Sequence, residues 1–110
     1  YYKTNLSSIN KIHFLDENNI SYSNRWLTTI LLSSDRNINK ENLRLELEKN
    51  NIESRPLWKP MHLQPVFKDC HYHGSGFDES LFNSGICLPS CSDMKNEEQD
   101  KIIKLISELL

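Results

Sequence analysis

The side chains best able to do chemistry crowd into one stretch, Glu53-Ser54-Arg55-Pro56-Leu57-Trp58-Lys59-Pro60-Met61-His62-Leu63-Gln64-Pro65-Val66. It holds a guanidinium (Arg55), an indole (Trp58), an ammonium (Lys59) and an imidazole (His62), together with three of the chain's four prolines. Proline fixes φ and removes a backbone donor, so Pro56, Pro60 and Pro65 exclude a helix interior or a central strand. The residue before a proline is pushed toward extended backbone, which predicts extended Arg55, Lys59 and Gln64. The stretch therefore reads as a stiff, kinked ribbon, suited to offering an anion and a ring to a cleft. The same residues also fit a proline-rich surface loop whose Trp58 plugs a core and whose Lys59 is solvated.

A second constellation pairs Cys70-x-x-His73 with Cys87-x-x-x-Cys91, four groups of the kind that hold structural zinc. Against zinc, the second spacing is loose, and Cys87 sits in a short apolar run where a buried thiol is ordinary. An odd number of cysteines, three, excludes a complete disulfide framework and favours a reducing cytosol. His13 lies in an apolar run and reads as a structural histidine.

The elements that must position these groups follow from the pattern. Ile12 to Leu15 predicts a short strand. Asp16 to Ser23, rich in Asn, Asp and Ser, predicts turns. Arg25 to Ser33 predicts the clearest strand, apolar on both faces and so central; Arg25 and Trp26 begin it and could reach a cleft or a partner domain. Residues 34–39 predict a loop. Lys40 to Asn50 is ambiguous, because Leu43, Leu45 and Leu47 alternate as in a strand. Strong helix formers and Asn39 as an N-cap favour a helix with Leu43 and Leu47 on one face. Ile52 to Leu57 predicts an extended segment, 67–76 a loop, and Phe77 to Ser84 a helix with Gly85 as its C′ glycine. Ile86-Cys87-Leu88 is a brief strand stopped by Pro89. Asn96 and Gln99 have capping-box spacing, with a start one residue earlier as the alternative, before an amphipathic helix carrying Ile102, Ile103, Leu105, Ile106, Leu109 and Leu110. The sum is a small two-layer α+β domain, a short, mainly antiparallel sheet with helices on one face.

Composition bounds the function. One hundred and ten residues make one domain with a modest core. A net charge of −2 leaves no footprint for nucleic acid or an anionic membrane. No apolar run approaches the roughly 20 residues of a membrane span. The chain begins Tyr1-Tyr2-Lys3 without a Met, which suggests a fragment or a processed product.

Residues 55–66, Arg-Pro-Leu-Trp-Lys-Pro-Met-His-Leu-Gln-Pro-Val, resemble the DegT/DnrJ/StrS family of aminotransferases that use pyridoxal phosphate (PLP) and act on nucleotide-linked keto-sugars. Ser23-Asn24-Arg25-Trp26-Leu27-Thr28-Thr29 upstream and Leu81-Phe82-Asn83-Ser84-Gly85-Ile86-Cys87-Leu88-Pro89-Ser90 downstream are similar to it in the same order, and Gln99-Asp100-Lys101-Ile102-Ile103 also matches. The resemblance runs from about Ser23 to the C-terminus and covers the family's small C-terminal domain. It implies that residues 1–6 end an interdomain helix and that the large PLP-binding domain is absent from residues 1–110. It places the Schiff-base lysine elsewhere, so this chain alone should not transaminate and should bind no cofactor. It implies a cytoplasmic homodimer that takes an amino group from glutamate or glutamine for polysaccharide, glycan or antibiotic-sugar synthesis. Arg55 and His62, then Trp58 and Lys59, become the expected contacts to a nucleotide-sugar: a diphosphate suits Arg and Lys, a ring suits Trp58, and His62 can donate to a phosphate or hydroxyl. Two other readings stay open, a non-catalytic binding module of the same fold and a small zinc-stabilised interaction domain.

Overall fold

The computed structural model describes residues 1–33 and 39–110; the loop expected at 34–39 lies mostly outside the described residues. The elements run α1 (Tyr2–Leu6), β1 (Ile12–Phe14), β2 (Thr28–Leu32), α2 (Lys40–Lys49), β3 (Arg55–Pro56), α3 (Phe77–Ser84), β4 (Gly85–Leu88) and α4 (Asn96–Leu109). Two short 3-10 turns, Met61–Leu63 and Pro65–Phe67, punctuate the ribbon between β3 and α3.

The strands form one sheet in the order β1-β2-β4-β3, each neighbouring pair antiparallel. Register decides which side chains share a face. Ile12 pairs with Leu32 and Ile30 with Ile86, while the next ladder sets Thr29 opposite Cys87 and Cys87 opposite Arg55. The first set joins Leu88 in the core, where it meets Tyr2 and Leu6 of α1, Leu43 and Leu47 of α2, and Ile102 and Ile106 of α4. Each buried aliphatic side chain there contributes about 1.5–3 kcal/mol relative to exposure. Helix α3 runs directly into β4.

The alternation in α2 is resolved by burial. Leu43 and Leu47 are buried and Leu45 is 41% exposed, which is the helical period and not the strand period. The Asn39 side chain accepts from the Glu41 N–H at 2.8 Å and caps the first turn, as expected. Arg44 then bridges Glu41 and Glu48 along the exposed face.

Element ends differ in places from the sequence expectation. Strand β2 begins at Thr28, not Arg25, because the preceding backbone groups are taken by side chains. Asn24 Oδ1 accepts the Trp26 N–H at 3.1 Å, Ser90 Oγ accepts the Thr28 N–H at 2.8 Å, and Arg25 stands in left-handed backbone at φ 57°. Helix α4 takes the earlier of the two starts that the sequence allowed: its N-cap is Lys95, whose N–H is accepted by Glu98 at 2.8 Å. Gly85 is extended (φ −93°, ψ 144°) and does not act as a left-handed C′ residue. Its reason is space: a Cβ there would lie 2.8 Å from the Leu81 carbonyl oxygen and run into the Leu57 side chain. The prolines behave as anticipated, since Pro56 sits on an edge strand and Gln64 is extended at φ −82°, ψ 138°. No helix among the described residues is long and apolar enough to cross a membrane.

Candidate functional site

Trp58 follows β3 and is 67% exposed, so it is not a core plug. Its ring lies against Trp26, also 67% exposed, with centroids 5.8 Å apart and planes tilted by 41°. Two tryptophans left largely in water while touching each other are costly unless something covers them, because each carries 150–250 Å² of mostly apolar surface. Trp26 is delivered by a local device. Ser23 Oγ accepts the Arg25 N–H at 3.1 Å, Asn24 Oδ1 accepts the Trp26 N–H, and the Arg25 guanidinium holds Glu17 at 2.9 Å. The sequence flagged Trp26 as able to reach a cleft but gave no sign that it would meet Trp58; the Ser-Asn turn before it was the available signal.

Both tryptophans line an open groove of about 1140 Å³, together with Arg55, Pro56, Cys87 and Ser90. Arg55 stands opposite Cys87 in the sheet, and its guanidinium meets Glu53 at 2.5 Å and 2.8 Å. That pair is exposed on both sides, and such pairs contribute only about 0–1 kcal/mol, so an incoming anion can take Glu53's place. Lys59 is solvent-exposed beyond the groove wall, and its carbonyl accepts from Gln64 Nε2 at 3.0 Å. His62 is elsewhere again. It stacks on Tyr72 with centroids 3.7 Å apart, and its Nε2 lies 2.9 Å from Glu79 Oε1. The structure thus brings Arg55 and Trp58 to one groove, with Trp26, and leaves Lys59 and His62 outside its lining.

The network under His62 has its own electrostatics. Tyr72 donates to Asp78 at 2.7 Å, which holds the Asp78 carboxyl below the usual carboxylate range and pushes the Tyr72 phenol up. The cysteines do not gather: Cys70 and Cys91 are exposed, while Cys87 is buried with Sγ 3.8 Å from Thr29 Oγ1. Among the described residues no group of three or more His, Cys, Asp or Glu side chains is placed to hold a metal ion.

The sequence profile of the DegT/DnrJ/EryC1/StrS aminotransferase family matches residues 1–107. The chain belongs to this family. It is 39% identical over 112 aligned residues to EpsN of Bacillus subtilis (strain 168), whose name places it provisionally among pyridoxal phosphate-dependent aminotransferases. That alignment covers 98% of this chain and 28% of EpsN. GDP-perosamine synthase of Escherichia coli O157:H7 is 31% identical over 107 residues, 97% of this chain and 28% of that protein. Among solved structures, a DegT/DnrJ/EryC1/StrS aminotransferase from Brucella abortus superposes with a TM-score of 0.78 at 25% identity, covering 97% of this chain and 28% of that one. The chain therefore spans somewhat over a quarter of the length of these relatives.

Aminotransferases of this family bind PLP, a dianionic phosphate ester that needs a cationic or N–H-rich cradle and an aldimine-forming lysine. The described residues of this DegT-family chain do not fit that need. The first turns of α2, α3 and α4 each carry carboxylates (Glu41; Asp78 and Glu79; Glu97 and Glu98), which repel a phosphate from the helix N-termini. In the groove, Glu53, Asp93 and Glu98 offset Arg55, Lys95 and Lys101. The Lys40 ammonium is lowered in pKa by desolvation, but it is engaged by the Phe82 carbonyl and ring.

Proposed function

We propose that the chain is the small C-terminal domain of a PLP-dependent aminotransferase that aminates a nucleotide-linked keto-sugar. The observation that carries this reading is the exposed Trp26–Trp58 pair beside Arg55 in one open groove. The groove forms one wall of the active site. The ring of Trp58 takes a sugar or base face, and Arg55 exchanges Glu53 for a phosphate oxygen, a charge-assisted bond of the stronger kind. Lys59 adds positive charge at the rim. The names of the GDP-perosamine synthases among the relatives support a nucleotide-linked substrate. PLP and the lysine that binds it belong to a large domain outside this chain, where the cofactor supplies the electron sink for transamination.

In this reading the exposed apolar side chains, among them Ile20, Tyr22, Val66 and Phe77, are covered in the intact protein. That protein is a cytoplasmic homodimer drawing its amino group from glutamate or glutamine, and the isolated 110-residue chain is inactive. The test is steady-state kinetics of the full-length protein with a nucleoside-diphosphate keto-sugar and glutamate. Arg55→Ala and Trp58→Ala should each raise KM for the nucleotide-sugar about tenfold or more, the loss of a binding interaction of roughly 1.4 kcal/mol. No amination at all, or an unchanged KM in both variants, refutes the proposal.

A further inference from the structure

We infer that His62 is a positioning residue: through Glu79, Asp78 and Tyr72 it latches the proline ribbon to the first turn of α3 and so fixes where Trp58 stands. This deepens the reading of the groove as a substrate-binding wall and rests on it.

The geometry commits the imidazole on three sides. Nε2 lies 2.9 Å from Glu79 Oε1, Nδ1 lies 3.5 Å from Asp78 Oδ2, and the ring is stacked on Tyr72 with its plane within 24° of parallel. The side chain is only 16% exposed, in contrast to the 67% exposure of Trp58. Its partners are themselves fixed. Tyr72 donates to Asp78 and accepts the Gly76 N–H at 3.1 Å, while Asp78 and Glu79 belong to the acidic first turn of α3.

The ribbon between Trp58 and His62 is stiff enough to carry that restraint. Pro60 fixes one φ, and the Leu63 and Gln64 N–H groups donate to the Pro60 and Met61 carbonyls at 3.0 and 2.9 Å. The Gln64 side chain closes the same turn onto the Lys59 carbonyl. On the other side of Trp58, Leu57 packs against Gly85 and Pro56 is paired in the sheet. Trp58 is thus held between a sheet anchor and the His62 latch. A side chain engaged in this way acts on a ligand through Trp58 and not by touching it.

The experiment labels the full-length protein with 5-fluorotryptophan and assigns the Trp58 fluorine resonance with Trp58→Phe. His62→Ala and Glu79→Gln should each shift or broaden that resonance. Each should also raise KM for the nucleotide-sugar about threefold to tenfold with kcat retained. The double variant should be no worse than the more severe single one, because the two residues act as one unit. If His62→Ala raises KM while Glu79→Gln leaves both KM and the resonance unchanged, His62 meets the ligand directly and the inference is overturned. An unmoved Trp58 resonance in both variants also overturns it. Tyr72→Phe and Glu79→Gln carry the test if His62→Ala does not fold. A full-length protein without aminotransferase activity defeats the proposed function, whereas the fluorine resonances still decide the latch.

Discussion

Substituting Gly85 separates two physical reasons for a glycine at the end of a helix. A left-handed C′ position tolerates asparagine best after glycine, so Gly85→Asn would then be the mildest change. The extended backbone at φ −93° removes that reason, and crowding replaces it. A Cβ placed 2.8 Å from the Leu81 carbonyl oxygen is closer than real Cβ atoms come, and it also overlaps Leu57. Overpacking of this kind costs about 1–3 kcal/mol. Alanine recovers about 0.4–1 kcal/mol by reducing the entropy of the unfolded chain. The net expectation for Gly85→Ala is a loss of between about 0 and 2.6 kcal/mol, with Gly85→Asn worse because more atoms must be accommodated. Urea unfolding of wild type and both variants measures this directly, and thermal melts should follow at about 4 °C per kcal/mol for a domain near this size. Gly85→Asn proving as stable as Gly85→Ala, or more stable, would refute the steric argument.

Other expectations follow from single contacts. Ile106 is fully buried in the core between sheet and helices, so Ile106→Ala should cost about 2–5 kcal/mol in the same unfolding assay. Asn39→Ala removes the cap on α2 and should cost about 1 kcal/mol; an unchanged urea midpoint would show that the cap contributes nothing. Tyr72 donates to Asp78 and lowers its carboxyl pKa. The stabilisation from that pair is present above the unfolded carboxyl value and disappears as pH falls through the lowered folded value. Tyr72→Phe should therefore raise the Asp78 midpoint in a side-chain carboxyl NMR titration, and an unmoved midpoint contradicts the assignment.

Much of the fold was readable locally. The cap at Asn39, the apolar face of α4 with Ile102 and Ile106, and the extended residues before Pro56 and Pro65 all rest on forces acting within a few residues. The start of β2 was not readable in this way. Arg25 looked like the start of a strand because the run that follows it, Trp26 to Leu32, is mostly apolar or β-branched, yet Asn24 and Ser90 side chains compete for the backbone donors that a strand would use. Ser90 is remote in sequence, so that competition left no local mark.

The candidate site divides in the same way. By itself the sequence determined the residue types, the stiffness of the ribbon around Trp58 and the family resemblance, since proline geometry and motif order are properties of the linear chain. Only the tertiary structure decided that Arg55 faces the groove through pairing with Cys87, that Trp26 meets Trp58, and that His62 is held by α3. These are contacts between distant segments, and they depend on strand register and helix placement. A shift of one residue in β3 would turn Arg55 to the opposite face of the sheet, whatever its neighbours in sequence.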